Sequence, residues 1–242
     1  MAGNSELAQL ALQLREEGRS LGLPLVATCA DISSARPTLD EHGEPVARLF
    51  DFTRPAAGYW KKGDLALRNA MVALIRNLGE PFYYMDGAVG SWRPVKVTPR
   101  LEELGRSVNY AVRSAIIAPV RLPRSTLGAV VWASDGEGVD VRPVFEAHAL
   151  HLHGLAARFI SACDTLAHGA PEIDLCALTR REVQCLKLVA AGKTDSEIAT
   201  ILGLATPTVR FHMKKASAKL EETGRLRTAQ RAIELGYVST RL

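Results

Sequence analysis

Arg210, Lys214 and Lys215 lie close together near the end of the chain, with Lys193, Thr194, Thr208 and Phe211 nearby in sequence. Long cationic side chains one helical turn apart make a column of hydrogen-bond donors. Such a column suits two acceptors: the O6/N7 edge of guanine, which carries sequence information, and phosphate oxygens, which carry none. The chemistry on offer is recognition, because no Ser or Cys nucleophile stands beside a base in a known spacing.

Periodicity separates the two kinds of contact. Val209, His212, Met213, Ala216 and Leu220 recur at three- and four-residue steps and form an inner face, while Arg210, Lys214, Lys215 and Lys219 fall on the other side. In a helix-turn-helix, the N-terminal half of the second motif helix meets base edges in the major groove. Arg210 and Lys214 are then the expected base readers, and Lys193, Thr194, Thr208 and Lys215 are placed for phosphates. Phe211 has two openings, a thymine methyl or packing beside the first motif helix.

The elements that must hold this helix carry their own start and stop signals. Thr179 and Glu182 form a T-x-x-E capping box with Leu178 and Val183 as its apolar staple, and Gly192 closes the helix. Thr194 and Glu197 open the next helix, whose expected buried stripe is Ile198, Ile201 and Leu202. A turn at Gly203 follows, then Thr206 as expected cap with Pro207 at the first helical position. Charge supports the same division. From Leu178 onward twelve Lys and Arg face six Asp and Glu, so this end is near +6, while the rest of the chain is near −2 and the whole is +4. A basic module on an acidic body is what contact with a polyanion through one end requires.

Leu178-Thr-Arg-Arg-Glu-Val, Ala191-Gly-Lys-Thr-Asp-Ser-Glu-Ile-Ala199 and Thr208-Val-Arg-Phe-His212, continuing through Arg225-Leu-Arg-Thr228, resemble the LuxR-type helix-turn-helix. The set is specific where any single motif is weak. The resemblance implies a transcription factor that binds a palindromic site on double-stranded DNA as a dimer. It also implies a four-helix DNA-binding domain, the fourth helix running from about Thr228 to Leu235, with base contacts at Arg210 and Lys214.

At 242 residues and 47% hydrophobic content, the chain has room for two domains, of which only the larger buries a sizeable core. The expected division is 1–168 for a sensor and dimerisation domain, 169–177 for a linker and 178–242 for the DNA-binding domain. In the first part, helices are expected over Ser5–Gly18, Gly63–Leu78, Leu101–Val112 and Arg142–Ala167. Strands are expected over Leu23–Ala30, Phe82–Met85, Ala115–Leu122 and Leu127–Ser134, with a turn near Asp86-Gly87. The fold class is therefore α/β: an N-terminal α/β/α sandwich joined to a small all-α domain.

This order, most clearly Pro119-Val-Arg through Gly128 to Val131-Trp-Ala-Ser134, also resembles the autoinducer-binding domain that precedes LuxR-type modules. The resemblance implies a pocket holding an acyl-homoserine lactone through a Trp, a Tyr, an Asp and a Ser or Thr. On this chain the Tyr falls on Tyr59, but the others fall on Pro55, Arg68 and Val131. Arg68 can only donate where the lactone amide needs an acceptor, and an unmade buried bond costs roughly 1–3 kcal/mol. Three readings stay open: another small-molecule signal with an acceptor facing Arg68, a pocket filled by side chains, or a shifted register in which Trp60 supplies the missing Trp. Tyr59, Trp60, Phe82, Tyr83, Tyr84, Trp92 and Trp132 either line a site or form ordinary core.

The long segment Arg142–Ala167 carries Phe145, Ala149, Leu152, Ala156, Phe159 and Cys163 as one stripe, wide enough for the domain core and a partner helix in a homodimer. His148, His151 and His153 do not share one face, so no metal site is expected, nor any cofactor. No run of about 18 apolar residues and no charged leader are present, which points to a cytoplasmic protein without a membrane partner. The four cysteines lack paired spacing and read as reduced thiols. No glycine-rich phosphate loop, H-E-x-x-H or G-x-S-x-G occurs, so no enzyme is expected. A phosphorelay receiver, the rival N-terminal domain, needs an acidic pair beside Asp31 and a later Asp and Lys at strand ends, and these are missing.

Overall fold

The computed structural model describes residues 6–34, 37–50, 69–107, 112–123, 126–170 and 176–239. The chain divides into two compact units, Met1–Leu122 with Thr126–Pro171, and Pro123–Ser125 with Glu172–Leu242.

The first unit is built on a five-stranded sheet in the order β1-β5-β4-β2-β3, antiparallel throughout. Its strands are β1 (Leu25–Cys29), β2 (Phe82–Met85), β3 (Ala88–Ser91), β4 (Ser114–Arg121) and β5 (Leu127–Ser134). The helices are α1 (Glu6–Ser20), α2 (Ala70–Asn77), α3 (Pro99–Ser107) and α4 (Val141–His168). The two central strands read Ser-Ala-Ile-Ile-Ala-Pro-Val and Leu-Gly-Ala-Val-Val-Trp-Ala because both of their faces are covered. Side chains alternate across the pleat, and each face has its own core. Ile116, Ala118, Val130 and Trp132 meet α1 and α4, whose Leu10, Leu14, Phe145, Leu152 and Phe159 close that side. Phe82, Ile117, Ala129 and Leu127 pack on the other face with Val72 and Ile75 of α2. Helices on both faces make this unit an α/β/α sandwich.

Local chemistry explains the boundaries. Asn69 caps α2, its side-chain oxygen accepting from the Met71 and Val72 amides at 2.8 and 3.3 Å. Helix α2 thus starts at Ala70, and the expected earlier turn from Gly63 lies outside the described residues, as do Pro55, Tyr59, Trp60 and Arg68. Helix α3 begins two residues earlier than expected and ends at Ser107, with 108–111 outside the described residues. Strand β3 was not anticipated. Asp86 and Gly87 both have positive φ, 46° and 89°, the two-residue hairpin turn that Asp-Gly favours, and it folds Ala88–Ser91 back onto β2.

Strand register separates two residues of the candidate ligand pocket. Tyr83 stands opposite Ile116, which stands opposite Trp132, whereas Val131 stands opposite Ile117. Directly opposed residues share a face, so Tyr83 and Val131 point to opposite sides of the sheet and do not line one pocket. Tyr83 packs edge-on to Phe145, ring centroids 5.3 Å apart. Trp132 is fully buried and donates from Nε1 to the Leu14 carbonyl at 2.9 Å, which makes it a core anchor. The four cysteines are free thiols, and burial pushes Cys29 and Cys163 up to about 12, aided by the neighbouring Asp31 and Asp164 charges. Among the described residues no helix is long and apolar enough to cross a membrane.

Candidate nucleic-acid interface

The second unit consists of α5 (Arg180–Ala190), α6 (Asp195–Leu202), α7 (Thr206–Lys219) and α8 (Arg225–Glu234) around a core of Leu186, Val189, Ile198, Val209, Met213, Ala216 and Ala232. Both anticipated capping boxes are formed. The Thr179 hydroxyl accepts from the Glu182 amide while Glu182 Oε2 accepts from the Thr179 amide at 2.7 Å, and Thr194 and Glu197 repeat the arrangement. Each box satisfies two amides that a helix start leaves without partners. The turn between α6 and α7 runs through Gly203 at φ 64° and ψ 40°.

Helix α7 sorts as its spacing requires, with Val209, Met213, Ala216 and Leu220 buried and His212 half-buried at the margin. Two columns face outward. In the first, the Arg210 side chain is 72% exposed and Lys214 is exposed one turn later. In the second, Phe211 is 56% exposed and Lys215 Nζ lies 5.7 Å from the centre of its ring. More than half of the Phe211 side chain is thus open to solvent. Thr208 sits half-buried in the first turn of α7. Lys193 and Thr194 lie at the start of α6, Lys193 Nζ 3.7 Å from Glu197 and the Thr194 hydroxyl donating to Glu197 at 2.8 Å. Hydrogen bonds from the Thr194 amide and hydroxyl hold the Glu197 carboxyl below its ordinary value.

Residues 176–232 match the family of bacterial regulatory proteins described as the luxR family. The C-terminal unit is a LuxR-type helix-turn-helix domain. The transcriptional activator protein VanR of Vibrio anguillarum is 47% identical over 62 residues, 26% of each chain. The HTH-type quorum sensing-dependent transcriptional regulator VjbR of Brucella ovis is 33% identical over 127 residues, 51% of this chain and 47% of that one. The chain thus spans from a quarter to about half the length of these curated relatives. Among solved structures, Escherichia coli SdiA aligns over 97% of this chain and 92% of its own, at 16% identity and a TM-score of 0.48.

Three details of the LuxR-type domain differ from expectation. Ala205, not Thr206, is the N-cap of α7 and makes no side-chain cap bond, so the helix starts one residue early with Pro207 inside its first turn, where a missing N–H is harmless. Ile201 is 54% exposed and Ala199 takes its place beside Ile198, because the face that α6 turns to the core is rotated to run through Ile198, Ala199 and Leu202. Lys219 does not belong to the outward cationic face. Its Nζ donates to Glu182 Oε2 at 2.8 Å and to the Ala177 carbonyl at 2.9 Å, tying the end of α7 to the start of α5.

Glu182 is 3% exposed. Burial opposes its ionisation most strongly, yet hydrogen bonds from Lys219 and Thr179, with the Lys219 charge, outweigh it and hold the carboxyl below its ordinary value. A second cross-tie joins α7 to α8, where the Ser217 and Thr228 hydroxyls meet at 2.8 Å and Thr228 also donates to the Gly224 carbonyl. Neither tie was expected from the sequence, since the partners stand far apart in the chain and local spacing does not register them.

Proposed function

We propose that the chain is a sequence-specific DNA-binding transcriptional regulator that acts as a homodimer on a palindromic operator. One observation carries this reading: α7 of a LuxR-type domain presents Arg210 and Lys214 in one exposed column and Lys215 beside them, with its apolar residues turned inward. Arg210 and Lys214 read base edges, and Lys215, Thr208, Lys193 and Thr194 meet phosphates. Phe211, exposed beneath Lys215, offers its ring to a thymine methyl.

The N-terminal sandwich is the regulatory and dimerising half. Relatedness to a quorum-sensing-dependent regulator over 127 residues supports a signal-responsive ancestry for it. An ordinary acyl-homoserine lactone is disfavoured as its ligand, because Val131 supplies no hydroxyl on its face of the sheet. A rise in melting temperature on adding an acyl-homoserine lactone, by binding to the folded state alone, would restore that alternative.

The DNA-binding half is tested by two variants on the full chain, using a duplex selected from a random pool and a random duplex as competitor. Arg210→Ala is expected to lose roughly 1–3 kcal/mol on the selected duplex and far less on the random one. Lys215→Ala is expected to weaken both alike and to lower the salt slope by about one. Equal losses on both duplexes for Arg210→Ala would refute the base-reading role.

A further inference from the structure

Asp195 opens α6, and its two carboxylate oxygens go to different arginines. Oδ2 accepts from Arg210 Nε at 3.3 Å, while Oδ1 forms an ion pair without a hydrogen bond, 3.4 Å from Arg225 Nε at the start of α8. Arg225 is itself fixed, because its Nη2 donates to the Lys193 carbonyl in the turn before α6. The contacts grade from anchored to free: the side chain of Asp195 is 27% exposed, that of Arg225 37% and that of Arg210 72%.

Which nitrogen is taken matters. A carboxylate that engages Nε sets the plane and direction of a guanidinium while leaving its two terminal nitrogens free, and those are the donors that pair with guanine O6 and N7. Among the described residues Arg210 makes no hydrogen bond through either terminal nitrogen; Nε alone is engaged. An unrestrained Arg has many rotamers to lose on binding, and a fixed plane removes part of that cost before DNA arrives.

We propose that Asp195, braced by Arg225, is a positioning residue for base readout: it presets Arg210 so that its terminal nitrogens point to the groove, and thereby sets sequence discrimination. This rests on Arg210 being a base reader. The inference has a signature that a merely structural role lacks. Asp195 adds a negative charge beside a surface that meets a polyanion, so it opposes binding to DNA of any sequence while sharpening the choice among sequences. Its removal moves two readouts in opposite directions.

The test compares the full chain with Asp195→Asn, Arg210→Ala and the double variant, by fluorescence anisotropy on a duplex selected with the unaltered protein and on a random duplex. Asp195→Asn is expected to bind the random duplex as well or better, and to lose about tenfold in the ratio of selected to random affinity. In the Arg210→Ala background the same substitution is expected to leave that ratio nearly unchanged. Arg225→Lys keeps the charge but loses the fork, and is expected to lower the ratio by a smaller factor. An unchanged ratio for Asp195→Asn would overturn the inference. So would a raised ratio, the mark of a carboxylate that competes with DNA for Arg210, or a parallel fall on both duplexes, the mark of simple destabilisation. If Arg210→Ala itself leaves the ratio intact, it is the base-reading role that fails.

Discussion

Glu182 shows how one carboxylate serves two levels of structure. It closes the Thr179 capping box and receives Lys219 from the far end of α7, so the local cap and the packing angle of two helices share one group. The box was legible, because T-x-x-E is a four-residue pattern. Lys219 was not, since helical spacing places it with Lys215 and its partner lies 37 residues away. Because the folded carboxyl titrates below its ordinary value of about 4.5, its stabilisation is complete above that pH and fades as pH falls through the lowered value. Protection of the α5 amides from hydrogen exchange is therefore expected to decline as the pH falls below about 4.5. Glu182→Gln is expected to flatten the decline and to cost about 1–3 kcal/mol at neutral pH, short of a fully buried pair because Lys219 is a third exposed. Parallel pH curves for the two proteins would exclude this role.

Among the elements, those with local signals were legible and those formed by distant contacts were not. Strand β5 and the body of α4 follow from their apolar runs, and the two boxed helices from their caps. Strand β3 escaped because Ala-Val-Gly-Ser has little pattern of its own and is a strand only because the Asp86-Gly87 turn returns it to β2. The start of α7 slipped by one residue because Ala205 takes the cap position without a capping side chain. Of the candidate ligand pocket, sequence alone grouped Tyr83 with Val131, and only the strand register separates them. The turn that aims α7 gives a direct test at this scale. Gly203 is left-handed, and a Cβ there would meet nothing within 4 Å, so the penalty for a side chain is conformational alone. Gly203→Ala is expected to cost about 1–2 kcal/mol in thermal unfolding of the C-terminal unit, and Gly203→Asn less, since Asn tolerates this region. Equal costs for Ala and Asn would mean that something other than backbone conformation holds the turn.

For the whole molecule, the proposal that two copies of α7 read one palindrome makes a geometric demand. Recognition helices on successive major grooves stand about 34 Å apart, one turn of about 10 base pairs. The division of charge fits such an arrangement: the basic end supplies the polyanion contact, and a body near −2 adds none of its own. A chain acting as a dimer is expected to sediment as one at micromolar concentration, and its affinity is expected to depend on half-site phase. Inserting about 5 base pairs between selected half-sites turns them to opposite sides of the duplex, and binding is expected to fall to that of a single half-site. Inserting about 10 restores the face but not the distance, so recovery is expected to be partial. Affinity indifferent to spacing, together with monomeric sedimentation, would mean that each copy of α7 binds alone. Under that outcome the base-reading role of Arg210 could survive, while the need for a palindrome would not.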